Sequence, residues 1–146
     1  MKSTIRPARM LDLDAVYEFA IQQRTRYPKL RFDANRAYET LKIILGSGRH
    51  YYMLSEVEGR VAGLLLAASA EHMWAEGTSC QIVFWVSRVP GDGHALLRRF
   101  KQWVLGRRST ISVAGFSPDL VMDWRTLELV KRVGFKKCGG SYLHHN

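Results

Sequence analysis

Arg88, Gly91 and Gly93 stand in the spacing R-x-x-G-x-G, directly after the apolar run Ser79 to Ser87 and directly before a helical pattern. A strand that stops into glycines and restarts as a helix turns several unpaired backbone N–H groups toward one point. Those donors and the positive end of the helix dipole form an anion site suited to phosphate. Glycine at 91 and 93 permits positive φ and close approach of a ligand to the backbone. The stretch is not G-x-x-x-x-G-K-[ST], and it lacks the third glycine of the dinucleotide fingerprint, so nucleoside triphosphate and NAD readings are poor.

The elements that must carry this elbow follow from periodicity and punctuation. Thr4 to Arg6 reads as a strand closed by Pro7, and Asp12 or Asp14 caps a helix to about Gln23. Arg24 to Phe32 reads as a loop, and Asp33 caps a second helix that ends at Gly46-Ser47-Gly48. His50 to Val57 and Val61 to Ala70 pair as a hairpin across the turn at 58–60. Ser79 to Ser87 is apolar over most of its length, as a central strand covered on both faces would be. After the elbow, Leu96, Leu97, Phe100, Trp103 and Val104 recur at helical spacing. Ile111 to Phe116 is a further strand, and Asp123 caps a helix stopped by Gly134. Phe135 to Cys138 and Tyr142 to His145 are the last strand candidates. This order predicts an α/β fold with a mixed, mostly antiparallel central sheet and helices on both faces.

With 146 residues, the chain is long enough to bury a core as one domain, 1–146. Its 22 basic residues against 13 acidic ones give a formal charge of +9, which favours polyanionic partners. Cys80 and Cys138 have no zinc-ligand spacing, no metal is expected, and both read as buried thiols of a reducing compartment, with a disulfide between them as the alternative. The N-terminal stretch lacks the apolar core of a signal peptide, and Val61 to Ala70 is too short to span a bilayer. A cytoplasmic protein without membrane contact is therefore expected. The oligomeric state stays open, a dimer included.

The elbow resembles the pyrophosphate-binding motif of the GNAT superfamily of N-acetyltransferases, [QR]-x-x-G-x-[GA] after the fourth strand. D-W-R-T-L-E-L-V-K-R-V-G-F, Asp123 to Phe135, is similar to the late helix of that family, commonly N-x-x-A-x-x-L-Y-E-K-L-G-F. The opening T-I-R-P-A followed by D-L-D resembles its first strand and turn, so the likeness covers nearly the whole chain. It implies an acetyl-CoA, or other acyl-CoA, dependent N-acetyltransferase acting by direct transfer on an amine. Its cofactor would sit on the backbone from Arg88 through Gly91, Asp92, Gly93 and His94 to Ala95. The pantetheine arm would run beside Phe84, Trp85 and Val86, with the thioester where the fourth and fifth strands splay apart.

The sequence departs from the family at Val130, where the likeness places a proton-donating tyrosine. Tyr142 and Glu71 are then the leading substitutes for proton transfer, with His72, Glu76, His144 and His145 behind them. The acceptor would enter beside R-T-R-Y-P-K-L-R, where Arg24, Arg26, Tyr27 and Arg31 suit an acidic or nucleic-acid-linked amine such as an aminoacyl-tRNA. The alternative is a catalytically impaired GNAT-fold protein kept for binding, nucleic acid among its candidate partners.

Overall fold

The computed structural model describes residues 2–23, 32–117, 120 and 122–138. Its element order is β1 (Thr4–Pro7), a 3-10 turn (Met10–Asp12), α1 (Leu13–Gln22), α2 (Ala34–Gly46), β2 (Tyr51–Val57) and β3 (Arg60–Glu71). There follow β4 (Thr78–Ser87), α3 (Asp92–Gly106), β5 (Ile111–Phe116) and α4 (Trp124–Val133). The five strands form one sheet in the order β1-β2-β3-β4-β5. The first four are antiparallel neighbours, and β5 joins β4 in parallel, with α3 as the crossover. The mixed, mostly antiparallel sheet read from the sequence is the sheet observed.

Strand alternation divides the core between the two faces. Leu54, Leu64, Leu66 and Val86 point to α1 and α2, where they meet Val16, Phe19, Leu41 and Ile44. Leu65, Ala67, Cys80 and Ile82 point the other way, to Leu96, Leu97 and Phe100 of α3 and Val130 and Val133 of α4. Because both faces are covered, the middle of β3 is apolar without interruption, with all of Gly63 to Ala67 buried.

One irregularity positions the site. Leu66 pairs with Phe84 but Ala67 pairs with Ile82, so Val83 is an extra residue with no partner on β3. This β-bulge bends β4 and exchanges the faces of the residues beyond it. Ile82 and Trp85 lie on the α3 side, whereas Phe84 and Val86 lie on the α1 side.

Several local expectations need correction. Asp12 does not cap α1 with its side chain; it accepts the Arg9 N–H at 2.7 Å and a forked pair from Arg6 at 2.8 and 2.9 Å. A cationic fork is the stronger partner, so a 3-10 turn precedes the helix. Residues 135–138 form no strand. Gly134, at φ 106°, ends α4, and the Phe135 N–H folds back to Val130 O at 3.2 Å while its ring packs 5.2 Å from that of Phe116 on β5. Both thiols are free, but only Cys80 is buried; Cys138, beside Lys136 and Lys137, is exposed. The strand expected at Tyr142 to His145 lies outside the described residues, as does the loop at 24–31. Among the described residues, no helix is long and apolar enough to cross a membrane.

Candidate active site

The parallel ladder between β4 and β5 runs from Thr78–Ile111 to Ile82–Phe116 and closes with the Ser117 N–H on Ile82 O at 2.9 Å. Beyond Ile82, β4 continues to Ser87 while β5 has left it, so the two strands part at the bulge. The Arg88 N–H donates to Ala62 O at 2.8 Å. Alternation along β4 then turns the main chain of Phe84 and Val86 toward β3, and that of Trp85 and Ser87 toward the opening. The opening therefore has an unpaired strand edge ready to accept an extended amide chain.

A cleft of about 600 Å³ extends from this edge to the first turn of α3. Trp85, Ser87, Gly91, Gly93 and His94 form one wall, and Asp123, Thr126 and Leu129 of α4 form the other. Gly91 holds φ +86°, the left-handed conformation that lets β4 turn into α3 within four residues. Trp85 is fixed by its indole N–H, which donates to Gly93 O at 3.0 Å, and by Phe116, whose ring centroid is 5.9 Å away.

The elbow offers fewer donors than the span from Arg88 to Ala95 suggests. Arg88 is committed to Ala62, Val89 donates to Ser87 Oγ at 3.2 Å, and Pro90 has no N–H. Asp92 and Ala95 donate to Val89 O and Gly91 O as the helix begins. Among the described residues, the N–H groups of Gly91, Gly93 and His94 have no acceptor. Three donors at a helix N-terminus are what an anion requires.

The predicted set divides in two. Trp85, Val86, Gly91, Gly93 and His94 line the cleft. Phe84 faces α1 instead, and the Arg88 guanidinium lies 5.2 Å from the Phe19 ring and donates to Gln22 Oε1 at 2.7 Å, so it braces α1. The Asp92 side chain is 8% exposed and accepts from Ser3 Oγ at 2.9 Å, which keeps its charge off the cleft lining. Glu71 is exposed at the end of β3 that pairs with Thr78, at the opposite end of β4 from the elbow. Tyr142, Arg24, Arg26, Tyr27 and Arg31 lie outside the described residues. Val130 is 7% exposed and packs in the core beneath α3.

The α4 wall was missed in the sequence, although Asp123, Thr126 and Leu129 recur every three residues on one helix face. Asp123 caps that helix through the Thr126 N–H at 2.8 Å, and this backbone donor holds its carboxyl below the usual range. Among the described residues, no group of three or more His, Cys, Asp and Glu is placed to hold a metal ion.

No protein-family model and no curated protein sequence matches the chain. Solved structures do. The acetyl-CoA complex of a predicted acetyltransferase from Clostridium acetobutylicum matches with TM-score 0.78 and 15% identity, over 99% of this chain and 96% of that one. An aminoglycoside acetyltransferase from an uncultured soil metagenomic sample matches at 0.72 and 14%, over 99% and 95%. Ribosomal-protein-alanine N-acetyltransferase from Brucella melitensis matches at 0.70 and 13%, over the full length of both chains. At these identities it is architecture that is shared, and the chain has the α/β fold of the GNAT N-acetyltransferases.

Proposed function

We propose that residues 1–146 form one acyl-CoA-binding domain that transfers an acetyl group directly from acetyl-CoA, or a related acyl-CoA, to an amine. The observation that carries this reading is the elbow, where the free N–H groups of Gly91, Gly93 and His94 meet the positive end of α3 beside the cleft. A diphosphate suits these donors, and the open edge at Trp85 and Ser87 suits the amides of a pantetheine arm. The thioester supplies an activated acyl carbon, and the chain's part is to hold and orient it against the amine.

Tyr142 is the proposed proton donor to the departing thiolate, and the distance of Glu71 from the elbow makes it the weaker candidate for a base. The basic segment with Arg24, Arg26, Tyr27 and Arg31 is proposed to receive the acceptor, an acidic or nucleic-acid-linked amine. A second reading, a binding protein without transfer activity, draws its support from Val130. That side chain is buried in the core at the place where the resemblance puts a tyrosine.

Calorimetric titration of acetyl-CoA into the protein and its Gly93→Glu variant tests the cofactor site. A Cβ at Gly93 would meet only Ser87 Cβ at 3.7 Å and Trp85 Nε1 at 3.8 Å, ordinary contacts, so the variant acts through its charge. Binding by the parent and none by the variant is expected; a folded parent that binds no acetyl-CoA refutes the reading. Release of CoA across a panel of amines then separates transfer from binding alone.

A further inference from the structure

The two helical layers differ in charge. Helices α1 and α2 together carry two basic and three acidic residues. Helices α3 and α4 together carry six basic residues and two acidic ones. Of those acids, Asp92 is buried against Ser3 and Glu128 pairs with Lys131 at 3.5 Å, while the neighbouring Asp123 is spent as a cap. The two helices lie side by side on one face of the sheet, tied by the Lys101 ammonium, which donates to Val133 O. Arg98 stands three residues before Lys101, on the side of α3 that meets α4, whereas Arg99 lies toward Tyr51 of β2. Arg98 and Arg108, with Arg125 and Arg132 on α4, are exposed.

An acyl-CoA at the elbow accounts for only part of this. From His94 to Arg107 the helix rises about 20 Å, roughly two Debye lengths at 0.1 M salt. Charges that far from the elbow exert little pull on phosphates held there. An indole at the start of α4 is also open to solvent. Trp124 is 70% exposed, and the Arg125 guanidinium lies 5.4 Å from its ring. Free cations together with an open aromatic ring are the chemistry that holds a nucleic-acid strand, phosphates on the cations and a base stacked on the ring.

We propose that the outer face of α3 and α4 is a nucleic-acid-binding surface that holds a single strand by its phosphates and stacks a base on Trp124. This inference is independent of acyl transfer. Its test is the fluorescence anisotropy of a labelled 20-nucleotide RNA strand, titrated with the full chain between 50 and 200 mM salt. Arg108→Glu/Arg125→Glu/Arg132→Glu is compared with Arg36→Glu/Lys42→Glu/Arg60→Glu, which makes the same change in net charge at exposed positions elsewhere. Thermal melts establish that both variants are folded.

The first triple variant should bind at least tenfold more weakly at 100 mM salt, with the log–log salt slope reduced by about 2 for three lost phosphate contacts. The second should lose less than threefold. Trp124→Ala should weaken the strand about fivefold or more and leave a duplex of the same length nearly unaffected. No binding by the parent at 50 mM salt, equal losses in the two triple variants, or an inert Trp124→Ala would each overturn the proposal.

Discussion

Gly91 and Gly93 stand one residue apart in the same motif, yet the structure predicts opposite consequences for the same substitution. Gly91 holds φ +86° with nothing within 4 Å of a built Cβ, so alanine there suffers only from backbone conformation. Forcing an L-residue into the left-handed region costs roughly 1–2 kcal/mol. Gly93 lies inside α3 with helical backbone and ordinary clearances, where alanine should add roughly 0.5–1 kcal/mol. The two variants should therefore differ by roughly 1.5–3 kcal/mol, or about 3–12 °C in Tm for a chain of this size. Urea denaturation followed by tryptophan fluorescence measures the difference, with Gly91→Asn as a control that should recover part of the loss because asparagine tolerates this conformation. Equal destabilisation by the two alanine variants, or a larger loss at Gly93, would refute the assignment of left-handed geometry to position 91 alone.

Arg88→Ala should change acetyl-CoA affinity by less than about threefold, because its guanidinium rests on Phe19 and Gln22; the titration above measures it. The Arg6 guanidinium, by its side-chain bonds, holds the Asp12 carboxyl down at about 2. This depressed value stabilises the fold above the ordinary carboxylate range near 4 and is lost as pH falls through 2, so acid titration of Arg6→Ala should show a shallower decline. His50 Nδ1 accepts the Ser69 N–H at 3.0 Å, and burial, helped by the Arg49 charge, lowers its pKa below the ordinary 6.5. The neutral ring stabilises the fold above 6.5, and this contribution is lost as pH falls below it; Tm measured from pH 8 to 5 should decline less in His50→Gln. Phe100→Ala, which empties a fully buried site against Tyr51 and Trp103, should cost about 3–5 kcal/mol in urea denaturation.

The elbow was legible because glycines between a strand pattern and a helix pattern leave few other conformations open. The pairing of β2 with β3 followed from alternation along β2 and the tight turn at 58–60. Side-chain direction after the bulge was not legible. Val83 is one apolar residue within an apolar run, with no glycine or proline to mark it, so nothing in the sequence separates the face of Trp85 from that of Phe84. Arg88 was counted among the backbone donors to phosphate because the sequence does not reveal that the β3–β4 ladder runs one rung further and takes its N–H to Ala62 O. Asp12 was misread because a side chain that can cap a helix can also take an arginine fork from a neighbouring strand. At 135–138 an apolar start suggested a strand, but Phe135 spends its N–H on the end of α4 and its ring on Phe116.

The extra residue in β4 also decides which length changes the chain can accept. Excising Val83 would leave Ile82 opposite Ala67 and Phe84 opposite Leu66, so the strand would become regular while Trp85 and Val86 kept their present faces. The bulge is therefore a place where one codon can be lost without reversing what lies beyond it. From Gly63 to Leu66 the partner strand has no such slack, because each residue there is paired in turn across to β4. A single deletion in that stretch would exchange the faces of the residues beyond it, and a second length change would be needed to restore them.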